Sequence, residues 1–398
     1  MNNFSYPLVE NPFSDDDINK AIRVLNSKQL TLSTNTFNFE KKFTNKINSK
    51  FSLMVNSGSS ANLLAFQCLI NPYRKKRLEK NSEIIIPSLC WSTSLWPIIQ
   101  SNLKPIFVDI NKDTLNIDID DLEKKITKKT KAIMLIHVLG NCCDMDRLMQ
   151  IKKKYNLILI EDTCESLGTK FNNKYLGTFG EFSSFSFYTS HQISAGEGGM
   201  ICCKDKNDYE IIKSLRSHGW SRGTSFENKY KNNKYLNKKF IFFNSGFNLR
   251  PTEVSAAIGY NQFKRLEKMK NSRNSNRKRI IGAFKANKIL KDTISFFQPS
   301  KKVKPSWFGL PLRFYTKHNL NKILLKLEKK GVETRPIISG NFTRQPAAKV
   351  YKLFKKNNFR NADEIYNSSF FIGLPTPKLN KKKIEKLVNI FEKIFKNQ

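Results

Sequence analysis

The stretch FSFYTSHQISAGEGGM, from Phe185 to Met200, places a histidine between a short aromatic strand and a glycine-rich turn. Ser186 could add its hydroxyl to a phosphate site, and the glycines allow a sharp turn with close backbone approach. The basic residue expected in such a pocket for a phosphate-bearing cofactor is absent, and His191 stands in its place. With an unperturbed pKa of about 6.5, an imidazole suits a general base at neutral pH.

A second stretch, NSGSSANLL at residues 56–64, predicts an anion-binding turn. Here a strand ends in small residues whose backbone amides then open a helix. Free N–H groups and a helix N-terminus both favour a phosphate. In this stretch alone, an ordinary serine N-cap is an equally good interpretation.

A third stretch, LILIEDTCESLGT at residues 157–169, ends an apolar strand in two carboxylates, Glu161 and Asp162. In parallel α/β sheets, ligands collect at the C-terminal ends of the strands. A carboxylate there can keep the ring nitrogen of a cofactor protonated. The alternative is that these residues are only the acidic start of a helix.

The elements that must position these residues alternate between strands and helices. Short apolar runs separated by helices of about ten residues favour a mainly parallel sheet that is covered on both faces. The predicted strands are residues 52–56, 83–87, 104–110, 131–138, 156–162 and 182–188. The predicted helices between them start at Ser59 or span residues 92–100 and 144–155.

The pattern changes after GGMICC, where long polar helices are predicted near residues 208–217 and 251–287, with Pro251 in a first helical turn. From about Ile289 a smaller unit follows, with predicted strands at residues 306–314 and 332–338 and helices at residues 320–330 and 381–397. We therefore predict a large α/β domain, residues 1–288, and a small C-terminal α+β domain, residues 289–398.

Composition limits the possible partners and the location. The chain has 398 residues and a formal net charge of +37. Its lysines are spread along the chain without an arginine-rich arm or a nucleic-acid motif, so we expect no nucleic-acid partner but a surface that attracts small anions. No apolar run approaches the roughly 18 residues of a membrane span, and the first residues do not form a signal peptide. We expect a cytoplasmic protein without a membrane partner.

The cysteines predict neither disulfides nor a metal centre. They are seven in number, show no CxxC spacing and include only two adjacent pairs. An iron–sulfur cluster draws on several cysteines, whereas only Cys202 and Cys203 follow His191. We therefore expect free thiols and no metal or iron–sulfur cluster. The seven are Cys68, Cys90, Cys142, Cys143, Cys164, Cys202 and Cys203.

Eight motifs occur along the chain in a recognisable order. They are GSSAN, IIIPSLCWST, PIFVDI, HVLGNCCDMD, EDTCESLG, SFSFYTSHQISAGEGGM, SHGW and GFNLRPTEVSAAIG. Together they resemble, over essentially the whole chain, the fold-type I pyridoxal-phosphate (PLP) enzymes of the DegT/DnrJ/StrS sugar aminotransferase family, which acts on nucleotide-linked keto sugars. The resemblance implies an aspartate aminotransferase-like large domain with a mainly parallel central sheet.

The resemblance also implies roles for individual residues around the cofactor. Gly58, Ser59 and Ser186 would hold its phosphate, and Trp91 would stack on the pyridine ring. Asp162 would pair with the ring nitrogen, which makes the ring an electron sink.

Further roles follow from the same resemblance. Glu165 would also contact the cofactor, and Asn248 would reach the phosphate from a neighbouring subunit, which implies a homodimer with shared active sites. Arg335, in RPIISGNFTRQPA, is a further candidate for the diphosphate or sugar, because arginine suits bidentate phosphate contacts. Arg344, in the same stretch, has a surface ion pair as its alternative role. The expected substrate-binding residues are Ser190, His218, Arg250, Asn341 and Arg344.

One departure from the family decides the expected reaction. The aminotransferases have a lysine at the position of His191, and that lysine forms a Schiff base with the cofactor. Histidine replaces it in a branch of nucleotide-sugar 3-dehydratases that make 3,6-dideoxy sugars, which EDTCESLG, SHGW, GFNLRPTE and GNFTRQPA also resemble. A base that removes the C4′ proton without returning it to the sugar leaves electrons free to expel the 3-hydroxyl.

The resemblance therefore implies a metal-free 3-dehydratase of a nucleotide-linked 4-keto-6-deoxyhexose. It would bind pyridoxal or pyridoxamine phosphate non-covalently and use L-glutamate as amino donor. Two alternatives stay open at this point. One is a sugar 4-aminotransferase in which His191 does the work of the lysine, and the other is a non-catalytic relative that binds the cofactor.

Overall fold

The computed structural model describes residues 4–230, 232–237, 239–314, 319–353 and 358–396. Within these ranges, the central sheet contains seven strands. The strands of the large unit are β1 Phe51–Val55, β2 Glu83–Pro87, β3 Lys104–Val108, β4 Thr130–Ile136, β5 Ile158–Asp162, β6 Lys170–Phe171, β7 Lys174–Tyr175, β8 Phe182–Ser186 and β9 Gly199–Cys203. The order across the central sheet is β1-β9-β8-β5-β4-β2-β3.

Most neighbouring strands of this sheet are parallel. The pairs β8–β5, β5–β4, β4–β2 and β2–β3 run parallel, whereas β9 is antiparallel to both β1 and β8. Strands β2, β8 and β9 are buried over their whole length, because apolar side chains on both faces pack into separate clusters. The predicted α/β architecture with a mainly parallel sheet is confirmed.

Helices of the large unit cover both faces of the sheet. They are α1 Asp15–Ser27, α2 Thr34–Ile47, α3 Gly58–Leu69, α4 Ser92–Gln100, α5 Ile119–Lys124, α6 Met145–Lys154, α7 Lys206–Arg216, α8 Glu227–Tyr230, α9 Glu253–Lys264 and α10 Leu266–Ala286. Helices α3, α4 and α7 contribute to one apolar cluster, and α5 and α6 contribute to the cluster on the opposite face.

The long helix predicted at residues 251–287 is in fact two helices. Thr252 caps α9, its hydroxyl accepting a hydrogen bond from the amide of Ser255 at 3.2 Å. Pro251 therefore precedes the helix instead of lying in its first turn. The break comes at Arg265, whose backbone leaves the helical conformation and whose guanidinium binds Asp17 at 2.6 Å. Asp17 belongs to the N-terminal helix α1, so a contact with a distant segment accompanies this break. The local sequence pattern did not predict it.

The small unit is built on an antiparallel sheet of order β10-β12-β14-β13. Its strands are β10 Ile294–Phe296, β11 Val303–Lys304, β12 Gly309–Phe314, β13 Thr334–Pro336 and β14 Ser369–Gly373, of which β11 pairs with β6 of the large unit. Its helices are α11 Leu290–Thr293, α12 Leu320–Lys329, α13 Pro346–Val350, α14 Arg360–Ser368 and α15 Lys381–Lys396. Asn397, the predicted end of the last helix, lies outside the described residues.

The domain boundary at residues 288/289 stays a prediction. Two segments of the large unit pack against the small unit across this boundary. Tyr6 lies in the apolar core of the small unit, and its hydroxyl donates to the carbonyl of Gly373 at 3.1 Å. The end of α10 adds Ile280 and Phe284 to the same core. The N-terminal residues and α10 therefore pack on both units.

All seven cysteines are free thiols, and all but Cys164 are buried. Among the described residues, no group of three or more His, Cys, Asp or Glu side chains is arranged to hold a metal ion. In the same ranges, no helix combines the length and the apolar character that spanning a membrane requires.

Candidate active site

A cavity of about 540 Å³ lies where β4, β5 and β8 end and α3 and α4 begin. This is the edge at which parallel α/β sheets bind ligands. The structure brings eight sequence-predicted site residues of the large unit to this cavity. They are Gly58, Ser59, Trp91, Asp162, Glu165, Ser186, Ser190 and His191.

The N-terminus of α3 forms one wall of the cavity. Ser57 is its N-cap and accepts a hydrogen bond from the amide of Ser60 at 3.1 Å, so the N-cap interpretation of this stretch applies to Ser57. A Cβ atom at Gly58 would lie 2.7 Å from the sulfur of Cys164 and 2.8 Å from Cβ of Ser186, so the close approach of β8 requires glycine. Amides at the start of α3 and the hydroxyls of Ser59 and Ser186 therefore suit a phosphate group.

Asp162 presents a carboxylate in the cavity. Its Oδ2 accepts hydrogen bonds from Asn62 Nδ2 at 2.9 Å and Ser94 Oγ at 2.7 Å, and its Oδ1 accepts one from the amide of Cys164 at 3.1 Å. Three donors orient this side chain, which is only 6% exposed. A fixed negative charge in a cleft matches a protonated ring nitrogen.

Glu161, the neighbouring carboxylate, has a different environment because adjacent strand residues point to opposite faces. Its carboxylate accepts hydrogen bonds from the amides of Gly177, Phe179 and Gly180 and contacts His137 Nε2 at 3.0 Å. Burial opposes its ionisation, but the hydrogen bonds from His137 and the amides outweigh burial and lower the pKa. Glu161 thus holds the turn that leads into β8, and Asp162 faces the ligand cavity.

His191 is held in one tautomer by the backbone. Its Nδ1 lies 2.6 Å from the carbonyl oxygen of Cys164. Because a carbonyl oxygen only accepts hydrogen bonds, Nδ1 carries the proton and Nε2 of the neutral ring keeps its lone pair. Phe308 packs edge-on against the imidazole, with ring centroids 5.0 Å apart.

The environment of His191 changes its acidity. Burial lowers its pKa to about 4, although the Cys164 carbonyl and Asp162 partly oppose this shift. The sequence pattern did not show this shift of the pKa, because the shift depends on how the folded chain surrounds the ring. A neutral imidazole at neutral pH is available as a base without losing a proton first.

Glu165 is a further titratable group in the cavity. Its Oε2 accepts a hydrogen bond from the amide of Leu139 at 2.9 Å. Removal from water raises its pKa to about 7, with the negative charge of Asp162 adding to the shift. Near neutral pH, a substantial fraction of this carboxyl is therefore protonated and able to donate a hydrogen bond to a ligand oxygen.

Three predicted residues of the large unit, Asn248, Arg250 and His218, do not line the cavity. Asn248 is exposed and accepts a hydrogen bond from Arg250 Nε at 3.1 Å. The guanidinium of Arg250 lies 5.8 Å from the ring of Trp220, on which His218 also packs. None of these side chains lines the cavity of its own chain, so their predicted roles would require the site of a second subunit.

The small unit contributes Arg335 to the cavity. Asn341 instead accepts a hydrogen bond from Thr343 Oγ1 of its own turn at 2.6 Å and donates one to Asp363 of α14 at 2.8 Å. Arg344 forms an exposed pair with Asp363, with Nη2 2.6 Å from Oδ2, as in its alternative role as a surface ion-pair residue. Neither Asn341 nor Arg344 lines the cavity, so their substrate role stays a prediction.

Several residues in or next to the cavity were missed by sequence reasoning. Asn62 and Ser94 orient Asp162, and Phe308 and Arg273 contact the residues around His191. Asn62 lies four residues after Gly58 on α3, and this helical spacing was a usable signal. The contacts of Phe308 and Arg273 come from distant parts of the chain and leave no local pattern.

The chain matches a known protein family over nearly its whole length. A sequence model of the DegT/DnrJ/EryC1/StrS aminotransferase family matches residues 13–392. The chain belongs to this family. The resemblance predicted from the eight motifs is therefore confirmed.

Individual relatives are similar over nearly their whole length. The chain is 36% identical over 375 residues to GDP-4-keto-6-deoxy-D-mannose 3-dehydratase of Escherichia coli O55:H7, covering 93% of this chain and 95% of the relative. A solved E. coli GDP-4-keto-6-deoxy-D-mannose 3-dehydratase with bound hydrated PLP has a TM-score of 0.89 at 34% identity, covering 98% of this chain and all of that chain. A structure of GDP-4-keto-6-deoxymannose 3-dehydratase with a trapped PLP–glutamate geminal diamine has a TM-score of 0.88, also at 34% identity, covering 97% of this chain and all of that chain.

Proposed function

We propose that this family member is a PLP-dependent nucleotide-sugar 3-dehydratase, which removes the 3-hydroxyl of GDP-4-keto-6-deoxymannose with L-glutamate as amino donor. The assignment of a dehydration reaction rests on one observation. His191 lines the cavity together with Asp162 and Ser186, and none of the described residues that line this cavity is a lysine. His191 would therefore present a base, and not an amine, to a bound cofactor, which would be held non-covalently.

The cavity fits the cofactor in three independent features. The start of α3 with Ser59 and Ser186 would hold the phosphate, and Asp162 would hold the protonated ring nitrogen. Trp91, whose side chain is 57% exposed although it lines the cavity, would stack on the ring. When bound, PLP supplies a ring that withdraws electrons from the adjacent carbon and, in its pyridoxamine form, an amino group for the 4-keto sugar.

Residues of the chain would then determine whether the 3-hydroxyl is expelled or the proton is returned to C4 of the sugar. His191 Nε2 would accept the proton released at the reacting carbon, while Nδ1–H stays on the Cys164 carbonyl. A ring fixed in this way cannot swing to carry the proton to C4 of the sugar, as a flexible lysine can. The electrons are thus available to expel the 3-hydroxyl, and Arg335 would hold the negatively charged nucleotide.

The proposed reaction is balanced over a full turnover. Glutamate becomes 2-oxoglutarate and supplies the two electrons, and its nitrogen leaves as ammonia. The C3–OH group of the sugar becomes C3–H, and the water released by dehydration equals the water used in hydrolysis. The product is a 3,6-dideoxy 4-keto sugar nucleotide.

Two alternative functions are distinguishable in one experiment. Glutamate is added to the PLP-bound enzyme while the absorbance is followed, and the 4-keto sugar nucleotide is then added while ammonia is assayed. A 3-dehydratase changes the spectrum and releases ammonia, whereas an aminotransferase changes the spectrum without ammonia. A non-catalytic relative leaves the spectrum unchanged, and either of these last two results would contradict the proposal.

The proposal includes a cytoplasmic enzyme with no nucleic-acid partner. Free cysteines are typical of reducing compartments, and all seven cysteines are free in this structure. The excess of lysine would attract the anionic nucleotide sugar.

We also propose a homodimer in which Asn248 reaches the active site of the other subunit. Asn248→Ala and His191→Asn, each inactive alone, are expected to complement each other when their subunits are mixed. Only the site with His191 from one chain and Asn248 from the other is intact, so about a quarter of the sites should recover in an equal mixture. Absence of recovery despite verified subunit exchange would show that each site is formed within one chain.

A further inference from the structure

Arg273 is a buried guanidinium next to the proposed base. It lies on α10 and is only 6% exposed. Its Nη2 donates to the carbonyl of His191 at 3.3 Å, its Nη1 to the carbonyl of Gln192 at 2.9 Å and its Nε to the carbonyl of Leu374 at 3.2 Å. It therefore connects α10, the turn that carries His191 and the segment that follows β14.

The charge of Arg273 is unusual for a buried group. Within the described residues, no carboxylate lies within ion-pair distance of it, and its contacts are backbone carbonyls. Burial lowers its pKa to about 10, which reflects the cost of removing the charge from water. An apolar side chain would fill the space without this cost, so the arginine must contribute something besides packing.

Arg277 provides an internal comparison on the same helix. It is 9% exposed, and burial lowers its pKa to about 10 as well. Its Nη2 donates to the carbonyl of Phe297 at 2.5 Å, and its guanidinium lies 4.2 Å from the ring of Trp307. Arg277 thus has similar burial and a similar carbonyl contact, but it does not contact the His191 turn.

Arg273 holds the part of the turn that the imidazole contact leaves free. The ring of His191 is fixed through Cys164, and the side chain of Gln192 donates to the carbonyl of Ser306 at 3.1 Å and to that of Glu165. The backbone carbonyls of residues 191 and 192 are held by Arg273. The backbone position of His191 is therefore held by this guanidinium as well as by the ring contact.

We propose that Arg273 is a positioning residue, which fixes the backbone of the His191 turn and links its place to the small unit through Leu374. The inference rests on the proposed role of His191 as the base. A misplacement of about 1 Å in a reacting group can reduce the rate by about 10²-fold without weakening binding. The effect should therefore appear in kcat, because Arg273 is not among the residues that line the ligand cavity.

The experiment compares Arg273→Met with Arg277→Met in the PLP-bound enzyme. Both variants remove a buried guanidinium from α10 and should lower Tm by similar amounts. Arg273→Met is expected to reduce kcat for ammonia release by about 10²-fold, with KM for the nucleotide sugar and Kd for PLP within about twofold of the wild type. Arg277→Met should keep kcat within about twofold. Arg273→Lys, which keeps the charge but not the three-carbonyl geometry, should lie between Arg273→Met and the wild type.

Equal kcat values for the two methionine variants would overturn the inference, as would a rise in KM at unchanged kcat. If Arg273→Met does not fold, kcat is compared between Arg273→Lys and Arg277→Lys instead. Equal kcat values for these two variants would likewise overturn the inference. A failure of the proposed function is distinguishable, because the wild-type enzyme would then release no ammonia.

Discussion

Asparagine in place of His191 is expected to leave PLP bound and to reduce dehydration by on the order of 10²- to 10⁴-fold. The amide can keep a hydrogen bond to the Cys164 carbonyl but has no basic nitrogen where Nε2 lies. The phosphate site, Trp91 and Asp162 hold the cofactor without a covalent bond, so its Kd should change little. The measurement is kcat for ammonia release together with the Kd of PLP. Near-normal turnover would exclude His191 as the base.

Lysine at the same position is the matched variant. In His191→Lys, the amine should form a covalent bond with the cofactor aldehyde, seen as a shift in visible absorbance and retention of the cofactor during dialysis. Dehydration should fall, because the lysine can return the proton to the sugar. Normal cofactor binding without the covalent bond would show that residue 191 does not face the cofactor carbon.

Alanine in place of Asp162 is expected to abolish both the glutamate half-reaction and dehydration. Without the carboxylate, the ring nitrogen is no longer held protonated and the ring withdraws electrons poorly. Loss of a charged hydrogen bond worth about 1.5–3 kcal/mol should also weaken PLP binding by about 10- to 100-fold. The measurements are the glutamate-induced absorbance change and the Kd of PLP.

Glu161→Gln is the control for this variant. Glu161 is adjacent in sequence but serves the amides of Gly177, Phe179 and Gly180 on the other face of β5. We expect this variant to lower Tm while the Kd of PLP stays within about threefold. The assignment of Asp162 would be wrong if Asp162→Ala kept both half-reactions, or if Glu161→Gln lost them to the same degree.

The sequence predicted the parts of the fold that local patterns determine. Buried strands such as β2 and β5 are short apolar runs, and their positions agree with the prediction to within two residues. The break at Arg265 was missed, because it involves a contact with Asp17 far away in the sequence. Likewise, the packing of Tyr6 in the small unit has no signal in the N-terminal residues themselves.

The site was predictable where its residues belong to contiguous motifs. The motifs of α3, β5 and β8 supplied Ser59, Asp162 and Ser186, which the fold brings to one cavity. The tautomer and the low pKa of His191 depend on burial and on the Cys164 carbonyl, which only the folded chain brings together. The role of Asn248 depends on contacts with a second subunit, which neither the sequence nor a single chain contains, so it stays a proposal.

If His191 makes this aminotransferase-fold enzyme a dehydratase, the sugar product must lack the 3-hydroxyl, and the identity of that product is the direct test. The enzyme, PLP, glutamate and GDP-4-keto-6-deoxymannose are incubated, and the purified sugar nucleotide is analysed by NMR. We predict a methylene group at C3 next to a C4 carbonyl. A product that retains the 3-hydroxyl and carries an amino group at C4 would show instead that the enzyme is an aminotransferase despite His191.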